Sequence, residues 1–563
     1  MKKLDIGVIV TTLIIVTISC SLAFFAARVV GEPKDINLVA KNVAITFNDT
    51  SIIANGVVSP GWNTTKTFTI TNNSKEEYKY NISIKDLVNT FVTEEYLQYK
   101  ITSTNGGYNM TEFKDIPKSS IATDTILAYS VSIPVGVTQS YTIEFKYAND
   151  ESVDQSDDMG KKLSGTLFIT EGTEQPTLLS QILKDNPTRS VRTDFSEPFT
   201  TNTANTLYKA TENGIDVYYF AGVENIEEGC EYSGQKITDY SSNKLNENTC
   251  SGEIEVCHTD NNEYLYFGTS SCNGFDGSVE KIQVLWTSGV EKPLNNWVKF
   301  GKNSSNQDLY WRIIRTNSDG SIRLLYHGIS TTATDAYIGE SQFNKIFNDS
   351  MYVGYMYGTS GSQESNRTNA NNSTIKTVID NWYASNMTSY TKYLSTTAVY
   401  CNDREVGSGT YSATGSIFYY APYARVYTSY APTYDCTNNN DKFTVDASTG
   451  NGKLTYPIAL MTADEIAYAG GATSKKAPMW YYTNSSFESS TGLTGWWSLS
   501  PFNWDVSGAS SWRVFGKGSL SGFGVNYSRS VRPVVSLKSC IKYSTGNGTS
   551  ETPYEIVETS SGC

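Results

Sequence analysis

GWWSLSPFNWDVSGASSW, residues 495–512, brings Trp496, Trp497, Trp504 and Trp512 within 17 positions, four of the ten tryptophans of a 563-residue chain. Such a concentration of indoles either fills a core or makes a platform for a ligand. Adjacent residues on a strand face opposite ways, so at least one of Trp496 and Trp497 is expected inside. From Phe502 onward the aromatics are spaced by Gly, Ser and Asn, and loops are expected there. That content suits a binding surface: Trp and Tyr give large rigid contact area at low entropic cost, and Ser, Gly and Asn give adaptable hydrogen bonds. Residues 491–537 also hold Arg513, Lys517, Arg529 and Arg532 against Asp505 alone, a basic island in a chain of net charge −13. The expected ligand-binding residues are therefore Trp504, Trp512, Arg513, Asn526, Tyr527 and Arg529, and a wall polymer or acidic glycan is a candidate partner.

Outward from this stretch the chain reads as one module over 293–540. It begins at NNWVKFG (295–301) with a hairpin, LYWRIIRTN (309–317) and SIRLLYHG (321–328), turning at Asp319-Gly320. STIKTVIDNWYASN (373–386) predicts a helix with Ile375, Val378, Ile379 and Trp382 on its buried side. TADEIAYAGG (462–471) predicts a second, with Thr462 as N-cap, Glu465 closing a capping box and Gly470 as the stop. Between them, 387–450 is rich in Tyr, Ser, Thr and Asn and reads as extended loops. The order WRIIR, TADEIAYAG, GWWSLSP, SWRVFGKGSL and SVRPVVSL resembles uncharacterised bacterial surface domains whose ends read WWLRSP and GVRPAL. Through them it resembles the C-type-lectin-like fold shared with formylglycine-generating enzymes. The resemblance implies a C-type-lectin-like domain in which 500–529 is the displayed segment before the terminal strand. GWW and Arg532-Pro533, in the family's own motifs, then belong to the scaffold.

The enzymatic inheritance of that fold is not expected here. Its copper-binding cysteine pair has no counterpart at Cys401, Cys436 or Cys540, and the Glu-Pro-Asn and Gln-Pro-Asp motifs of calcium-dependent sugar binding are absent. There is no GxSxG elbow, no P-loop and no GxGxxG in a βαβ setting, and His258 and His327 are too few for general acid–base work. A carboxylate pair for glycoside hydrolysis stays open, because such a pair is set in space rather than in sequence. No catalytic residue, metal ligand or cofactor is assigned.

Residues 35–172 alternate apolar and polar positions in runs such as KTFTITN (66–72), YKYNISI (78–84), SYTIEFKY (140–147) and SGTLFIT (164–170), the pattern of an antiparallel β-sandwich of the Ig-like or jelly-roll kind. SPGWNTTKTFTITNNS (59–74), IPVGVTQSYTIEFKY (133–147) and the acidic loop before SGTLFIT resemble the camelysin and TasA-like surface domains. Histidine is absent from this region, which excludes zinc-protease chemistry. The loop residues Asp150, Glu151, Asp154, Asp157 and Asp158 either gather Ca²⁺ or form a solvated hairpin tip; their spacing fits no EF-hand and favours the tip. Residues 173–205 read as a linker with a short helix at 177–185, 206–292 as a cysteine-containing β region, and 541–563 as a C-terminal tail.

Ile6 to Ala27 runs 22 residues without a charge, about 33 Å as a helix and enough to cross a bilayer. Lys2 and Lys3 precede it, which places the N-terminus inside and the bulk of the chain outside; within 1–30 a retained signal-anchor is favoured over a peptide cleaved near Ala23. Apart from Cys20 the cysteines number eight, as an oxidising compartment favours. Loop-closure entropy favours neighbours, giving Cys230 with Cys250, Cys257 with Cys272, Cys401 with Cys436 and Cys540 with Cys563. Nucleic acid is excluded by the acidic balance. The expectation is a multidomain, mainly β protein with an α+β C-terminal module, anchored at the cell membrane and displaying a head for adhesion or recognition. A fibre-forming envelope protein is the rival.

Overall fold

The computed structural model describes residues 58–92, 96–152, 154–158, 160–201, 204–224, 294–333, 336–475, 479–482, 495–515 and 518–563; residues 120 and 121, and the strands within 26–57 and 229–287, are described by backbone alone. The protein is mainly β. It divides into two compact units, Met1–Pro176 and Thr177–Cys563.

The first unit is two sheets around one core. The five-stranded sheet runs, in spatial order, Gly56–Val57, Ala26–Val29, Lys162–Glu171, Tyr78–Asn89 and Ser119–Ile133. The six-stranded sheet runs Ile36–Ala40, Val43–Asp49, Asn63–Asn72, Thr138–Tyr147, Leu97–Ser103 and Lys114–Asp115. Period two does the work: along Thr138–Tyr147 every second residue is buried, and Tyr141, Ile143, Phe145 and Tyr147 point inward. Tyr141 stands directly opposite Phe68 and stacks on it at 4.8 Å.

Residues 6–25 of the expected membrane span lie outside the described residues. Ala26 and Ala27, its last two positions, belong instead to a strand paired in parallel with Lys162–Glu171. Among the described residues no helix is long and apolar enough to cross a membrane. In the acidic loop, Asp158 accepts hydrogen bonds from the Tyr147 hydroxyl at 2.8 Å and the Val92 amide at 2.5 Å, and Asp150 accepts from the Tyr96 hydroxyl at 2.9 Å. These two carboxylates tie the loop to the sandwich, and no group of metal-ligating side chains forms among the described residues.

The second unit is built on a ten-stranded sheet and a seven-stranded sheet that share one core. The hairpin expected at 309–328 forms as Asp308–Thr316 and Ile322–Gly328, buried along nearly its whole length because both faces are covered. Asp319 fixes the turn by accepting from the Ser321 amide at 2.9 Å and from the hydroxyls of Ser395 and Thr397 at 2.9 and 2.8 Å. Pro533–Leu537 and Ile458–Leu460 extend the sheet beyond the hairpin.

The segments expected as linker and tail complete this core. Helix α1 (Leu178–Asp185), capped by Thr177, buries Leu178 and Ile182 one turn apart. Arg192 lies buried and donates to the carbonyls of Ala467 and Tyr468. Thr206–Glu212 and Ile215–Tyr219 join the ten-stranded sheet, as do Tyr543–Thr545 and Tyr554–Ile556 near the C-terminus. Boundaries drawn from composition at 205 and 540 therefore cut through one folded unit: a few apolar residues in polar surroundings were enough to dock these strands. The strands within 229–287 form a separate five-stranded sheet.

Helix α2 (Thr374–Asn386) is capped by Ser373 and buries Ile375, Ile379 and Tyr383; Trp382 sits at the margin of that stripe, edge-on to Tyr326 at 5.4 Å. Helix α3 (Ala463–Tyr468) has the expected capping box between Thr462 and Glu465. The disulfides Cys401–Cys436 and Cys540–Cys563 are formed, with Cα atoms 5.8 and 5.7 Å apart. The pairings expected among Cys230, Cys250, Cys257 and Cys272 fall on side chains outside the described residues.

Candidate ligand-binding site

The tryptophans settle the question of core against platform. Trp496–Asp505 runs through the seven-stranded sheet, paired with Gly508–Phe515 on one edge and with Phe418–Tyr420 on the other. Trp496, Trp497, Trp504 and Trp512 are all at most 2% exposed. Trp497 donates its indole N–H to the Ser341 carbonyl at 2.9 Å, Trp504 stands opposite Phe418, and Trp512 meets Phe502 edge-to-face at 4.6 Å. The platform expected at Trp504 and Trp512 is thus part of the core. Gly508, Gly522 and Gly524, read as loop signals, lie in strands, and a Cβ on Gly522 would stand 2.4 Å from the Phe502 ring.

Three of the remaining expected residues, Arg513, Tyr527 and Arg529, do converge, around an aromatic ring that the sequence pattern does not single out. In the pairing of Gly508–Phe515 with Ser519–Gly524, Arg513 faces Ser521 and Ser511 faces Phe523. The Arg513 guanidinium carbon lies 3.7 Å from the Phe523 centroid and that of Arg529 lies 4.0 Å from it. Both cations lie within cation–π range of the one ring, a double cation–π contact. Tyr527, 55% exposed, packs on Phe523 at 4.9 Å, and Asn526 accepts from the Gln342 side-chain amide through its carbonyl.

The electrostatics of this clasp are unfinished. Arg513 and Arg529 are each only 8% exposed, yet neither makes an ion pair among the described residues. Arg513 Nε reaches Ser521 Oγ at 3.3 Å, and Arg529 Nη1 donates to the Ser528 carbonyl at 2.5 Å. Arg513 Nη1 and Arg529 Nε are buried with no hydrogen-bond partner among the described residues. Burial, and then the charge of Arg529, pushes the Arg513 pKa down to about 10. Burial also lowers that of Arg529, against the opposing pull of Glu340. Buried guanidinium donors without acceptors are costly, and an oxyanion is the chemistry that would satisfy them.

A second arginine-rich recess, a small one of about 20 Å³, is lined by Arg315, Arg323, Arg425, Asp403, Asp464 and Glu465. Here each cation has its anion. Arg315 bonds Glu212 and Glu465, both at 2.9 Å, and Arg323 bonds Glu465 at 2.6 Å. Arg425 spans Asp403 at 2.7 Å and Asp464 at 2.8 Å. Burial pushes the Glu465 carboxyl up, but the charges of Arg323 and Arg315 outweigh it and hold the pKa at about 2. Asp403, Asp464 and Glu465 in this recess are thus bound to arginine. His327 is similarly removed from proton transfer: burial, with Arg532 and Arg312 nearby, holds its pKa well below the usual range.

No protein-family model matches the chain, and no curated protein matches it. Neither resemblance drawn from sequence motifs therefore has a family match behind it. Among solved structures, the chain is similar to one titled "AvmM Catalyzes Macrocyclization in Alchivemycin A Biosynthesis", over 26% of this chain and 98% of that one, at 11% identity and a TM-score of 0.15. A likeness at that TM-score carries no argument about fold or activity.

Proposed function

We propose that the chain is a bacterial surface protein, held at the cell membrane by residues preceding Ala26, in which an Ig-like β-sandwich is followed by a C-type-lectin-like head that binds an anionic ligand. The observation that carries the binding reading is the clasp itself: Arg513 and Arg529 bury donors that no group accepts among the described residues. An incoming carboxylate or phosphate would satisfy them, with Tyr527 exposed beside them as a contact surface. Two formed disulfides support an oxidising compartment. Residues 6–25 carry no charge and as a helix would extend about 30 Å, enough for a span. Motif order supports the assignment of the head.

The test is a retention assay of the full chain on polygalacturonate and on poly(glycerol phosphate), two polyanions that differ in the oxyanion they present. Wild type is expected to bind at least one of them, and Arg513→Ala and Arg529→Ala to weaken that binding about tenfold or more. Retention on neither, or retention indifferent to both substitutions, contradicts the reading.

A second reading has its own observation. Ser119–Ile133, 15 residues long, lies at the edge of its sheet and could accept a strand from another copy, as a fibre-forming envelope protein would require. Electron microscopy of the purified chain separates filaments from single particles.

A further inference from the structure

FYYAPYARVYTSYAP, residues 418–432, contributes a feature that the anion clasp does not use. The chain leaves the strand Phe418–Tyr420, makes one helical turn at Ala421–Tyr423 and continues into a π-helical turn at Ala424–Thr428. Tyr419, Tyr423 and Tyr427, four residues apart, thereby come into one stack. The Tyr419 and Tyr423 rings lie 4.1 Å apart at 30°, and those of Tyr423 and Tyr427 lie 5.0 Å apart at 22°. Phe502 braces the stack edge-on, 5.1 Å from Tyr423 and 4.6 Å from Trp512.

The ladder ends in solvent. Tyr427 is 45% exposed, and Tyr430, 39% exposed, is held at φ +50°, a left-handed conformation unfavourable for a bulky side chain. None of the hydroxyls of Tyr419, Tyr423, Tyr427 and Tyr430 bonds to the protein among the described residues. Beneath the stack, the indole N–H of Trp512 is buried without an acceptor, an unused donor in a residue 1% exposed. The ladder also carries no free charge: Arg425, the only ionisable cation in the segment, is turned inward to Asp403 and Asp464.

We propose that this tyrosine ladder is a docking platform for a neutral sugar ring. A pyranose has one apolar C–H face and a rim of hydroxyls, and the ladder offers the matching pair: an aromatic face at Tyr427 that continues the stack, and free phenol hydroxyls around it. A charged ligand finds no counter-ion here, and a purely apolar one leaves the phenols unused. Trp512 and Arg513 are consecutive on one strand and so face opposite sides of the sheet; the ladder and the anion clasp are separate surfaces. The inference therefore stands independently of the anion-binding reading.

Neutral oligosaccharides of glucose, galactose, mannose and N-acetylglucosamine, arrayed and probed with the full chain, test it. At least one is expected to be retained, with binding weakened about tenfold by Tyr427→Ala and within about threefold of wild type in Tyr427→Phe, which keeps the ring. Because Tyr427 is half exposed, the melting temperature of both variants should stay at the wild-type value, so that lost binding is not lost folding. The proposal is overturned if no neutral sugar is retained, if Tyr427→Ala binds as wild type does, or if the ladder takes proline-rich peptides instead.

Discussion

Arg315 and Arg323 bond carboxylates at 2.6 to 2.9 Å, whereas Arg513 and Arg529, also buried, bond none among the described residues. The first pair belongs to a network that reaches from Glu212 on one strand through Glu465 on helix α3, and it ties distant parts of the second unit together. The second pair is held by stacking on Phe523, which fixes position without cancelling charge. A cation neutralised within the fold serves the fold. Arg513 and Arg529 are positioned and desolvated with no ion pair among the described residues, and that difference is what the proposed anion site rests on.

The comparison is broken most forcefully at Glu465. Glu465→Ala strands the buried Arg323 and leaves Arg315 with Glu212 alone, and a loss of about 4 kcal/mol or more is expected in a denaturant titration of the full chain. The pH dependence carries the same sign. Glu465 has a pKa of about 2 in the fold against 4.5 as its ordinary value, so its stabilisation is complete above pH 4.5 and disappears as pH falls towards 2. Wild type should lose this contribution over that window, and the Glu465→Gln variant should show no such component. A variant as stable as wild type would show that the network is incidental.

Trp512→Ala comes next, at about 4 kcal/mol, because it empties a site packed against Phe502 and Tyr423. A merely displayed tryptophan would cost almost nothing, so the melting curve alone distinguishes core from platform. Arg513→Met sharpens the contrast in the other direction. It keeps the apolar stem and removes an uncompensated charge, so stability should be unchanged or higher by about 1 kcal/mol even as polyanion affinity falls. Tyr527→Ala is the smallest perturbation, within about 0.5 kcal/mol of wild type, and calorimetry should show only a modest loss of ligand affinity.

Local chemistry was legible in the sequence. The Asp319-Gly320 hairpin, the Thr462–Glu465 capping box and the alternation along Thr138–Tyr147 each depend on residues close together in the chain. So did the two formed disulfides, whose partners are separated by 35 and 23 residues. What escaped depends on register between strands or on contacts across hundreds of residues. Phe523 became the centre of the clasp only because the pairing that sets Arg513 against Ser521 brings it alongside. Gly522 read as a loop signal because its role, leaving space for Phe502, requires knowing that the two strands are neighbours. Leu178 and Ile182 looked like a plug in a linker because their partners, such as the Ile541 carbonyl that accepts from the Leu178 amide, lie at the far end of the chain. The tyrosine ladder had a signal, Tyr at 419, 423 and 427, but it was submerged in a segment rich in tyrosine throughout.

The central claim is that Arg513 and Arg529 are desolvated in advance for an anion. Calorimetric titration of the full chain with whichever polyanion it retains, in wild type and in the Arg513→Met/Arg529→Met double variant, tests it most directly. The account predicts tight, salt-sensitive binding by wild type, and a double variant that folds at least as stably but has lost the binding. A double variant that binds as wild type does, or one that unfolds because the two arginines were structural after all, would contradict it.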